Sequence, residues 1–208
     1  MKRLICLLAL CVTAVLSVWM VTESQKKNGV IEAIEARRSI RAYKDTPVER
    51  EKLELLAKCG VLAPSAMNRQ EWEVRIVDSK EWIDGCTSAY LKAIEGTDKA
   101  KHMLTPGFKN LFRNAPAVIF VAAPEGLFSG VNLGMLGQNM MLAATDVELG
   151  TCCLGSVQML FAEPALAPYL ESLGFSDGYK LSYALAVGYP DETPDAKPRD
   201  LTKIKFVE

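Results

Sequence analysis

Histidine is nearly absent from this 208-residue chain. His102 is the only one, so a Ser-His-Asp triad would depend on a single residue set in a charged stretch, and hydrolase chemistry is disfavoured. Metal-binding patterns are missing as well: the six cysteines fit no zinc-ribbon spacing, and no carboxylates cluster at ligand spacing. There is no Walker loop and no Gly-x-Gly-x-x-Gly fingerprint, which removes the usual nucleotide-binding readings. The formal charge is −1 and the basic residues are scattered, so no global field recruits nucleic acid or an anionic membrane. Internal repeats and linkers are also lacking. What remains suits one globular domain of about 180 residues behind an N-terminal segment.

That segment is a different material. Lys2 and Arg3 precede an uncharged run from Leu4 to Thr22, and polar residues follow from Glu23 to Asn28. Two cations before an apolar run are the start of a secretory signal, and the run is close to the shortest helix that spans a bilayer. Residues 1–27 are therefore expected to be a signal peptide or an N-terminal membrane anchor, and 28–208 the folded domain. Export to the cell envelope is favoured. Anchoring at the cytoplasmic face stays open, because Lys26 and Lys27 follow the run and blunt the charge rule. Cys6 and Cys11 fall inside this segment. Cys59, Cys86, Cys152 and Cys153 read as small buried hydrophobes; the vicinal pair would be strained as a disulfide, and a Cys59–Cys86 bridge stays open for an exported domain.

Along the rest of the chain, Asn28 to Arg37 reads as a helix with Val30, Ile31 and Ile34 on one face. Thr46-Pro47-Val48-Glu49 reads as a helix start with a capping box, and the helix must end before Pro64. Residues 72–77 alternate as a half-buried strand. Ser79 caps a helix to about Glu95, and Gly96 to Pro106 reads as a mobile loop. Residues 117–122 form a continuous apolar run suited to a central strand, and Leu181 to Gly188 is the last core strand. Between them, Gly130 to Leu149 is a helix that is apolar or small on almost every side, which calls for burial on most sides. A second subunit would supply that cover, with Leu136 and Met140 as its probes. The class is α+β.

Two short stretches carry the chemistry. Arg37, Arg38, Ser39 and Arg41 put three guanidiniums and a hydroxyl within five residues. Such forks match phosphate oxygens bidentately. Pro64, Ser65, Met67, Asn68 and Gln70 form a proline-set turn with amide side chains able to bond the edge of a heterocycle. A phosphate at one end and a ring with C=O and N–H groups at the other describe a nucleotide-like cofactor.

This order of pieces resembles the FMN-dependent nitroreductase family. The resemblance runs from Ile31 to Arg199 and adds Gln138-Asn139 in the apolar helix, Gly150-Thr151-Cys152-Cys153-Leu154-Gly155, Gly188-Tyr189-Pro190, and the pair Lys197 and Arg199. It implies a mostly antiparallel central sheet flanked by helices, in an intertwined homodimer with two FMN molecules at the subunit interface. It implies that Arg37, Ser39, Lys197 and Arg199 hold the phosphate and that Arg41 lies near the pyrimidine edge; Arg38 reads equally well as a solvated charge. The turn from Pro64 to Gln70 would reach the flavin of the partner subunit, and the backbone at Leu154 and Gly155 would face N5. Catalysis would rest on the flavin, with NAD(P)H or another reductant as donor and a nitroaromatic, a quinone or a related small molecule as acceptor. Reductive dehalogenation, flavin remodelling and non-catalytic flavin binding at a membrane are the rivals. One departure stands out: Glu71 occupies the place before Trp72 where the family commonly has proline, and an acid there could disfavour anionic substrates.

Overall fold

The computed structural model describes residues 29–207, so the expected targeting segment lies outside the described residues. Among the described residues no helix is long and apolar enough to cross a membrane. The chain divides into two units, residues 1–36 and 37–208. In the first, α1 (Gly29–Ala36) buries none of its residues, and Val30, Ile31 and Ile34 are all exposed.

The second unit is built on four antiparallel strands, β1 (Glu73–Val77), β2 (Ala117–Pro124), β3 (Gly150–Leu154) and β4 (Tyr179–Gly188), in the order β1-β2-β4-β3. The apolar run of β2 is buried on both faces because two helical layers sandwich it. Ile119 and Val121 face α2 (Arg50–Val61) and α5 (Ser129–Asp146), whereas Val118 and Phe120 face α3 (Lys80–Ala93) and α6 (Val157–Phe161). A bulge skips Ser182 opposite Val121 and Ala122. It inverts the side-chain parity of β4, so Leu181 joins the α3 layer while Tyr183 and Leu185 join the α5 layer. Gln158 holds the bulge by donating to the Ser182 carbonyl at 2.9 Å. The class read from sequence, α+β with a central antiparallel sheet flanked by helices, is the one found.

The layers separate the cysteines. Cys86 is fully buried in the α3 layer, where burial pushes its thiol up to about 12, and Cys59 lies on α2 across the sheet. All four are free thiols, so the open Cys59–Cys86 bridge does not form. Cys152 is buried and Cys153 exposed, as neighbours on a strand must alternate.

Two other readings need correction. Glu49 does not close a capping box: α2 begins at Arg50 with no side-chain cap. Its carboxylate instead accepts from the Tyr189 hydroxyl at 2.7 Å, with Lys52 at 3.8 Å, and these partners hold it below the usual carboxylate range. The stretch from Gly96 to Pro106 is not all loop. Thr97 caps a short helix, α4 (Asp98–Met103), that buries Ala100.

On α5, Leu136 and Met140 are fully buried in their own protomer's core. Met140 packs so tightly that a β-carbon on Gly60 would come within 2.7 Å of its side chain. They are therefore not probes of a second subunit. The side of α5 left open carries Val131, Gly134 and Gln138.

Candidate functional site

The arginine stretch is held as an extra ribbon along the outer edge of β3. Ser39 bridges Thr151 in parallel, Tyr43 bridges Pro190, and Ile40 N–H donates to the Thr151 carbonyl at 2.9 Å. Glycine makes the approach possible. A β-carbon at Gly150 would lie 2.7 Å from Ile40, and one at Gly188, its cross-strand partner, 2.8 Å from the Tyr43 ring. The small residue at Gly150 thus admits this ribbon rather than a cofactor ring. Tyr43 then anchors it from beneath, donating to the Ile40 carbonyl at 2.6 Å. Burial holds that phenol far above its ordinary range, against the pull of Arg41 and Arg113 nearby.

Two of the ribbon's arginines bond its own backbone. Arg38 donates to the Arg37 carbonyl at 2.9 Å and Arg41 to the Ser39 carbonyl at 3.1 Å. Glu192 accepts from the backbone N–H groups of Arg41 and Ala42, hooking the tail to the ribbon before it runs on to Lys197 and Arg199. Arg199 bonds the Lys197 carbonyl at 2.9 Å. Among the described residues, Arg37, Arg41, Lys197 and Arg199 have no carboxylate within ion-pair distance, in contrast to Arg50 with Asp78 at 2.7 Å and Arg75 with Glu73 at 2.6 Å.

The Pro64–Gln70 turn is as sharply made as its composition suggests. Met67, Asn68 and Gln70 all have left-handed φ, between 52° and 54°, a conformation costly outside glycine. Ser65 Oγ accepts from the Gln70 N–H at 3.0 Å and the Gln70 amide donates to Asn68 at 3.3 Å, so Gln70 supports the turn as expected. Met67 stands out, 73% exposed. Glu71 pairs with Arg69 at 3.6 Å, which offsets its charge. The anchor that sequence reasoning missed is Asn132 on α5, buried at 3% exposure, whose side chain accepts from the Ala66 N–H at 3.2 Å. An asparagine near the start of an apolar helix was the available signal.

Ribbon and turn sit at diagonally opposite corners of the sheet. Ser39 stands by Thr151, which aligns through Val187 with Ala117, whereas Glu73, just after the turn, aligns with Ala122. Four strand spacings and five residues separate the corners, roughly 25 Å at ~4.8 Å per strand and ~3.3 Å per residue.

Between the ribbon and the 102–114 segment opens a cavity of about 550 Å³ whose lining includes Arg41, Leu154 and Ser156. Gly155, between the last two, would meet nothing within 4 Å if it carried a side chain, so the backbone leaving β3 is approachable there. The structure thus brings Arg41 and Leu154 together around one cavity, with Ser39 on the neighbouring ribbon. Pro64, Ser65, Met67, Asn68 and Gln70 lie elsewhere. A larger hollow of about 870 Å³ by the start of β4 contains none of the expected residues.

A model of the nitroreductase family matches residues 34–189. The chain belongs to the nitroreductase family. It is an oxidoreductase of that type, as the arginine stretch, the turn and the β3 segment suggested. A nitroreductase with bound FMN from Desulfitobacterium hafniense DCB-2 is 29% identical, with a TM-score of 0.75 over 88% of this chain and 100% of that one. A nitroreductase with bound FMN from Bacteroides fragilis superposes with a TM-score of 0.76 over 88% of this chain and 100% of that one; at 24% identity it speaks for the fold alone. Among curated relatives, an FMN reductase [NAD(P)H] of Bacillus subtilis is 29% identical over 191 residues, which cover 83% of this chain and 70% of the relative.

Proposed function

We propose that this nitroreductase-family protein binds FMN and, as a homodimer, reduces a small-molecule acceptor such as a nitroaromatic or a quinone, with NAD(P)H or another reductant as donor. The observation that carries the reading is the set of cations without carboxylate partners, Arg37, Arg41, Lys197 and Arg199, gathered on the ribbon and on the tail hooked to it. A phosphate monoester carries nearly two charges, and this donor set fits it; each charge-assisted bond contributes about 1.5–3 kcal/mol. The FMN-bound relatives support the choice of cofactor.

When bound, the flavin supplies the hydride chemistry at N5. The protein's own residues would orient it and tune it. Arg37, Ser39, Lys197 and Arg199 hold the phosphate, Arg38 adding charge beside them. Arg41 would place positive charge near the pyrimidine edge of the bound flavin. Leu154 and Gly155 present backbone to the ring. The Pro64–Gln70 turn lies too far from its own ribbon to share that cofactor, so it serves the flavin of the second protomer. That division makes the dimer part of the site.

Purified protein is expected to carry FMN rather than FAD, because the cation set fits a terminal phosphate monoester, and to oxidise a reduced nicotinamide with a nitroaromatic or quinone present. A colourless protein that takes up no FMN at micromolar concentration refutes the cofactor. Tight FMN binding without turnover of any donor–acceptor pair favours a flavin-binding protein instead.

The Lys2-Arg3 start and the uncharged run to Thr22 support export or anchoring of the domain at the cell envelope. Alkaline phosphatase fused after residue 208 is expected to be active; an inactive fusion beside active cytoplasmic reporters counts against export. An exported domain would draw on a donor other than cytoplasmic nicotinamide.

A further inference from the structure

The cavity beside β3 has a feature that the family reading does not use. No aspartate or glutamate lines it, yet Arg113 and His102 join Arg41 at its wall. Arg113, like Arg41, has no carboxylate within ion-pair distance among the described residues. Two unpaired guanidiniums in a concave site focus positive potential into it. The remaining lining is largely apolar, with Phe108, Leu111 and Leu160 offering surface for a flat ring.

The backbone that carries Arg113 is firmly held. It and Asn114 both adopt left-handed φ, 60° and 62°, a pair of strained residues that persists only where the surroundings enforce it. Here two asparagines do so. Asn110 Oδ1 accepts from the N–H groups of Phe112 at 2.9 Å and Asn114 at 3.0 Å. Asn114 accepts from the Lys109 N–H at 2.7 Å and donates to the Gly107 carbonyl at 2.8 Å. Lys109 itself is tied to Asp45 at 2.5 Å, which leaves Arg113 as the free cation of this loop among the described residues.

We infer that Arg113 is a specificity residue and that the part of the cavity beside the flavin, lined by the 102–114 segment, takes aromatic acceptors bearing an anionic group, an aromatic carboxylate above all, with the guanidinium on the carboxylate. This rests on the flavin oxidoreductase reading for the word acceptor, but the binding preference can be measured without turnover.

The test compares 4-nitrobenzoate with its neutral methyl ester on the FMN-loaded protein by calorimetry, and then by steady-state kinetics. The anion is expected to bind at least tenfold more tightly. Arg113→Gln should abolish that margin, leaving ester binding and FMN affinity unchanged, and Arg113→Lys should restore part of it. In kinetics the Gln variant should raise KM for the anion with kcat little changed, the signature of lost uniform binding. Equal affinity for the two compounds overturns the inference, as does a margin that survives Arg113→Gln. A Gln variant that loses FMN also overturns it, since Arg113 would then belong to the cofactor site. The flavin absorbance of the same samples reports separately on the cofactor reading.

Discussion

Replacing Arg37 by alanine is expected to weaken FMN binding at least tenfold, and Arg199→Ala should do the same. Tenfold corresponds to about 1.4 kcal/mol, the lower edge of what one charge-assisted hydrogen bond contributes. Both side chains are solvent-accessible, and neither is in an ion pair among the described residues, so removing them should leave the fold intact. The double variant is the sharper experiment. If both guanidiniums meet one phosphate, the losses compound towards a hundredfold or more, with coupling between them, because residues sharing a partner are not additive. Arg50→Ala is the control: its guanidinium is committed to Asp78, and FMN affinity should not change. The measurement is titration of apoprotein with FMN, followed by flavin fluorescence. Unchanged affinity in both single variants would place the phosphate elsewhere.

The arginine ribbon and the turn were legible in the sequence because their chemistry is local. Three guanidiniums within five residues, and a proline-led run of Ser, Asn and Gln, suggest what they could bind before any tertiary contact is known. The supports of the site were not local. Asn110 and Asn114 lock the loop bearing Arg113 through side-chain-to-backbone bonds, which sequence alone does not distinguish from an ordinary polar loop. Thr97 turned part of an expected loop into helix by a single cap. Glu49 failed as a capping residue because Tyr189, distant in sequence, competes for its carboxylate. Helix α5 shows the limit most clearly. A helix apolar on nearly every side has no periodicity to say which side faces inward, so Leu136 and Met140 were assigned to a partner although they belong to the protomer's own core.

The corrected geometry gives a second large effect. If the protein is the FMN-binding homodimer proposed above, Val131→Lys is expected to split it and strip it of FMN together. Val131 is 62% exposed in the protomer, Leu127 88% and Phe128 49%, and a side chain added at Gly134 would meet nothing within 4 Å. In a monomer these positions tolerate a lysine, since the charge stays in water. Against a second copy of α5 the same lysine would be buried without a partner, which costs several kcal/mol, and a symmetric dimer would incur it twice. Cofactor loss should follow dissociation because each flavin would lose the Pro64–Gln70 turn that only the other protomer can supply across the roughly 25 Å between the corners. Leu136→Lys makes the contrast. That position is fully buried in the protomer, so the variant should fail to fold rather than yield a folded monomer. Sedimentation velocity with flavin absorbance on the Val131→Lys protein reads mass and cofactor in one experiment. A folded monomer that keeps its full complement of FMN would show that one protomer builds the whole site, and a dimer that persists would move the interface off this side of α5.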